Sequence, residues 1–129
     1  MTEKSLDDRA AEALGFTLTR RQFAGEIPHD EWHWVNSTGY ILNRAKDISG
    51  FFTKHPTNYA EYIKPVLLRE RITKFTVVCR FRGVARWYVR GDDETYLGNS
   101  FYGEGETEAE AYCKALLDLN GIVDFTKSR

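Results

Sequence analysis

Residues 73–90 read TKFTVVCRFRGVARWYVR, and the alternation within them decides the fold. Phe75, Val77, Cys79 and Phe81 share one side of a two-residue period, while Thr76, Val78, Arg80 and Arg82 share the other. Gly83 permits a turn. Val84 to Arg90 then runs back with Ala85, Trp87 and Val89 on one side and Arg86, Tyr88 and Arg90 opposite, so the stretch predicts a hairpin with one apolar face. Gly91-Asp92-Asp93 predicts the next turn and 94–102 a third strand. Thr107 and Glu110 form a capping box for a closing helix. Ala109, Tyr112, Cys113 and Leu116 make its inner stripe, Glu110 and Lys114 pair at i,i+4, and Asn120-Gly121 stops it.

Upstream, Ser5 followed by an acid at Asp8 and by Leu6, Ala10, Ala13 and Leu14 predicts a short helix that Gly15 ends. Residues 16–24 suit a strand, and 31–35 and 40–43 suit shorter ones within the aromatic segment 25–56. Asn58 with Glu61 reads as a second helix start, carrying Tyr59, Tyr62, Ile63, Val66 and Leu67 on one face. Pro65 falls inside that helix, which must either kink there or give way to a second segment that the proline begins. The order predicts an α+β protein, a helix-sheet-helix sandwich around a mostly antiparallel sheet that ends in a three-strand meander and a helix.

The chain's 129 residues, 42% of them apolar, suffice for one core and fit a single domain over 1–129. No stretch reaches the about 18 apolar residues of a membrane span, and MTEKSLDDRA lacks the apolar core of a secretory signal, so a cytoplasmic protein is expected. Cys79 and Cys113 both fall on apolar faces and read as reduced core thiols.

Charge carries the functional signal. The 18 basic and 19 acidic side chains nearly cancel, yet Lys74, Arg80, Arg82, Arg86 and Arg90 are followed by an acid-rich run from Asp92 to Glu110. Near-zero net charge argues against a long nucleic-acid surface and leaves a local anion site open. In CRFRGVARWYVR, Arg80, Arg82, Arg86 and Arg90 share a face with Tyr88, a set suited to holding phosphate and stacking on a base. The competing reading has those arginines neutralised by the acids of 92–110. Trp32 and Trp34 alternate with His33 and project to one face, as core residues or as a stacking platform. His29 and His33, at i and i+4, lie too far apart on a strand to share one ion without bending, so no metal and no cofactor is expected. Gly103-Glu104-Gly105-Glu106 precedes a helix, but its carboxylates would repel phosphate, which also argues against double-stranded RNA.

RAAEALGF at 9–16, the Trp-containing loop, NYAEYIKPVLLRERI at 58–72 and GETEAEAYCKALLDL at 105–119 resemble small phage and prophage proteins of the ABA-sandwich type, including those like the Nin-region X protein. The resemblance implies a helix-sheet-helix sandwich of phage or prophage origin acting in the host cytoplasm, and carries no catalytic residues. Together with the Arg and aromatic set, it leads to the expectation of a non-enzymatic counter-defence protein. That protein would sequester a small anionic, nucleotide-like ligand with Arg80, Arg82, Arg86, Tyr88, Arg90, Trp32 and Trp34. The alternative is a protein-protein inhibitor that inserts the aromatic loop 32–52 into a host protein. A symmetric homo-oligomer is compatible with either.

Overall fold

Gly103 shows how this sequence closes its core. In the computed structural model, which describes residues 4–68, 72–93 and 100–120, a Cβ at Gly103 would stand 2.2 Å from the Ala115 backbone nitrogen and 2.3 Å from the Ala111 carbonyl oxygen. Only glycine lets the last helix lie this close to the sheet. That helix, α3 (Glu108–Leu119), starts with Thr107 accepting the Glu110 N–H at 3.1 Å and buries Ala111, Tyr112, Cys113, Ala115 and Leu116.

The chain runs α1 (Leu6–Ala13), β1 (Thr17–Phe23), β2 (His29–Val35), β3 (Ile41–Asn43), a π-helical turn Tyr59–Ile63 continuing into α2 (Lys64–Leu67), then β4 (Ile72–Arg82), β5 (Val84–Asp93), β6 (Phe101–Gly105) and α3. It is an α+β fold with two antiparallel three-stranded sheets, ordered β1-β2-β3 and β4-β5-β6. No helix among the described residues is long and apolar enough to cross a membrane.

Ser5 caps α1 as its hydroxyl predicts, accepting the Asp8 N–H at 3.1 Å. Asp7, beside it, is 4% exposed and accepts from Gly50 N (2.8 Å), Phe52 N (2.7 Å), Thr53 N (3.0 Å) and the Thr53 hydroxyl (3.0 Å). This carboxylate satisfies buried backbone donors of the 50–53 turn and ties it to α1, so an irregular segment is held without strand or helix pairing.

Several expectations need correction. Gly91-Asp92-Asp93 is the end of β5, not a turn, because Gly91 gives room for the buried Phe101 ring, whose atoms would lie 2.2 Å from a Cβ there. The last strand begins at Phe101 and takes in Gly103-Glu104-Gly105; the predicted strand residues 94–99 lie outside the described residues. Asn58 does not cap a helix: its amide donates to the Phe51 carbonyl, and His55 Nδ1 accepts the Thr57 and Asn58 N–H groups instead. Pro65 begins a second segment, with the π turn absorbing the mismatch before it. Cys113 is buried, and burial pushes its thiol pKa up, but Cys79 is exposed and Phe81 is 75% exposed. The reason is length: α3 covers about 18 Å, whereas 11-residue β4 runs on the order of 36 Å, so the hairpin tip extends beyond its cover.

Candidate functional site

The two ladders of the second sheet decide which side chains share the face turned away from α3. Lys74 lies opposite Asp92, Thr76 opposite Arg90, Val78 opposite Tyr88 and Arg80 opposite Arg86. Across β5, Tyr88 faces Glu104 and Arg90 faces Tyr102. The other side, with Val89, Phe101 and Gly103, takes the helix. Among the described residues no helix covers the first side, and Val78 and Tyr102 there are 37% and 42% exposed.

This face forms an open concavity of about 390 Å³, within the lower range of small-molecule sites. Lys74, Thr76 and Asp92 line one end and Val78, Arg80 and Tyr88 the other, with Arg90 and Tyr102 between. The Tyr88 and Tyr102 rings sit 6.1 Å apart, tilted by 43°, and the Arg80 guanidinium lies 5.4 Å from the Tyr88 ring centre. Partial burial, then the Glu104 charge, raises the Tyr102 pKa, so its phenol stays neutral and able to donate.

The arginines divide between the two readings of the sequence. Arg86 Nε reaches Glu104 at 3.4 Å and Arg90 Nε reaches Asp92 at 3.2 Å. Arg80, Arg82 and Lys74 have no carboxylate partner among the described residues. Among the described residues, five cations against two carboxylates leave this face at +3 although the whole chain is −1. The two pairs are exposed and worth at most about 1 kcal/mol each, so an incoming anion can exchange with them. Alternation in the sequence identified Arg80, Tyr88 and Arg90. It put Thr76 and Val78 on the same face without marking them as site residues, and it did not place Tyr102, which joins only through the β5–β6 register. Arg82 and Arg86 belong to the same face but lie outside the concavity, toward the hairpin turn.

The tryptophans stand elsewhere, on β2 of the first sheet. They share a side of that strand, but Trp34 is 4% exposed and donates its indole N–H to the Lys46 carbonyl at 3.0 Å. Trp32 is 39% exposed with the Lys46 ammonium 5.4 Å from its ring centre. Neither lines the concavity. Most of the aromatic loop also turns inward, with Phe52 fully buried and the half-exposed Tyr40 hydrogen-bonded to the Tyr62 hydroxyl at 2.9 Å.

On β2, Glu31 bridges two imidazoles, His29 Nε2 at 3.0 Å and His33 Nε2 at 2.9 Å. The Ile27 carbonyl, and then Glu31, raise the His29 pKa, while hydrogen bonds from His33 and His29 lower that of Glu31. Among the described residues no group of three or more His, Cys, Asp or Glu side chains is placed to hold a metal. Comparison of the chain with known protein families, with curated proteins and with solved structures returns no match.

Proposed function

We propose that this chain is a non-enzymatic accessory protein of a phage or prophage that sequesters a small anionic, nucleotide-like ligand, in the host cytoplasm, on the uncovered face of its second sheet. The observation that carries the reading is the excess of positive charge on this face, with Lys74 and Arg80 in no ion pair among the described residues and placed at the two ends of a concavity that also holds Asp92, Tyr88 and Tyr102. Arg80, Arg90 and Lys74 supply charge-assisted hydrogen bonds to phosphate, and Tyr102 offers a half-exposed ring to a base. Asp92 and the Thr76 hydroxyl accept from the ligand's amino or sugar hydroxyl groups. Sequestration needs binding alone, and binding groups are what this face presents. Its phage origin rests on the resemblance of residues 9–16, 58–72 and 105–119. The competing reading, inhibition of a host protein through loop 32–52, has less support, because the loop spends Trp34 and Phe52 on the core.

Isothermal titration against cyclic and linear nucleotides tests the proposal. Binding is expected, and the double variant Arg80→Ala/Arg90→Ala should weaken it at least about tenfold, or 1.4 kcal/mol, with the melting temperature nearly unchanged because both side chains are exposed. Absence of any binding tighter than about millimolar, −4 kcal/mol, removes the idea.

A further inference from the structure

We infer that the ligand of this face is a phosphodiester chain of several nucleotides lying along β4, and not a single nucleotide. The inference rests on the ligand-face reading above and deepens it. Along the uncovered side of β4 the order is Lys74, Thr76, Val78, Arg80, Arg82, so charge stands at both ends and the middle is uncharged. Lys74 and Arg82 are eight residues apart, on the order of 27 Å at about 3.4 Å per residue. A phosphate is held at about 2.8 Å by the group that binds it, so one phosphate serves one end and leaves the other end's charge unmatched.

The rings stand beside that stretch of β4, on β5 and β6, with Arg90 and Glu104 as their neighbours. Tyr88 lies opposite Val78, flanked by Arg80 from β4 and by Tyr102 from β6 with 6.1 Å between the two ring centres, so the exposed Arg80 guanidinium and the half-exposed Tyr102 ring are the two surfaces on which bases can stack. Arg80 rests against Tyr88, where its rim N–H groups remain available to a phosphate joining those bases. Phosphate, bases, phosphate is the repeat of a single-stranded chain. A +3 face neutralises only about three phosphates, which matches a short strand and falls short of an extended duplex surface.

The test is titration calorimetry at one low salt concentration with adenine and uracil series: the 5′-monophosphate, the dinucleotide, the tetranucleotide and a twelve-nucleotide strand. The wild-type chain and Arg82→Ala, a substitution at the exposed end of β4, are compared after circular dichroism shows both folded. The tetranucleotide should bind at least about tenfold tighter than the monophosphate, the lower range of one added base stack. Arg82→Ala should bring that ratio down to about threefold. Equal affinity of monophosphate and tetranucleotide, or a ratio unmoved by Arg82→Ala, overturns the inference and leaves the nucleotide reading standing. Failure of every probe overturns both. A twelve-nucleotide strand matching the tetranucleotide per site identifies free short oligonucleotides as the source; a further tenfold gain identifies single strands.

Discussion

Substituting Gly103 by alanine probes the contact on which both the core and the ligand face depend. The added Cβ would meet the Ala115 nitrogen at 2.2 Å, the Ala111 oxygen at 2.3 Å and the Ala115 Cα at 2.8 Å. Carbon atoms rest at about 3.5–4.0 Å, and because the obstacles are backbone, no side chain can rotate aside; α3 must retreat by about 1 Å or more. Overpacking costs about 1–3 kcal/mol, and this rigid case belongs at the upper end. At roughly 4 °C per kcal/mol for a chain of this length, the melting temperature should fall by about 12 °C. Gly25 is the control, since a Cβ there has no neighbour within 4 Å and its φ is not left-handed. Gly25→Ala should stay within about 0.5 kcal/mol of wild type. Thermal and urea unfolding followed by circular dichroism read both. Tyr102 and Glu104 flank Gly103 on β6, so ligand affinity should fall with stability in Gly103→Ala alone. A Gly103→Ala protein melting within about 2 °C of wild type would refute the close approach.

Asp7→Asn turns an amide N–H₂ toward the buried N–H groups of residues 50–53 and should cost about 3 kcal/mol or more, read as a fall of about 12 °C in melting temperature; an unchanged value contradicts the role given to that carboxylate. His29 should titrate above the ordinary imidazole value of about 6.5 in an NMR pH series, and Glu31→Gln should lower its midpoint. The sign follows from linkage: the raised His29 pKa contributes stability that is complete below about 6.5 and disappears as pH rises through the folded value. The lowered Glu31 pKa contributes stability above its ordinary range that disappears as pH falls through its own folded value. An Arg82 and Lys74 contribution predicts a tetranucleotide affinity that declines with salt, log K against log salt sloping about −2 for three phosphates, while a flat line removes charge from the account.

Much of this architecture was legible in local spacing. The two-residue period of 73–90 marks both faces of the hairpin because its side chains alternate strictly about a short turn at Gly83. Ser5 and Thr107 mark helix starts through one hydroxyl and one N–H three residues on. What escaped the sequence is set by partners far along the chain. Asp7 reads as an N-terminal helix acid, and nothing nearby announces that it binds residues 50–53. Gly91 and Gly103 read as turn or loop formers, whereas here they are strand residues making room for a ring and a helix. The site was half visible for the same reason. Arg80, Tyr88 and Arg90 share a hairpin face, but Tyr102 enters through a third strand's register, and the separation of Trp32 and Trp34 from that face is a matter of which sheet each strand joins.

The central claim is that the uncovered face of β4-β5-β6 receives a nucleotide ligand. A ¹⁵N-resolved NMR titration with the adenine tetranucleotide tests it directly, since it reports the place of contact as well as its occurrence. The account predicts dose-dependent shifts at Lys74, Thr76, Arg80, Tyr88, Arg90 and Tyr102, with Ala111 and Ala115 behind the sheet moving little. Shifts confined to residues 17–35, or none at saturating ligand, would contradict it.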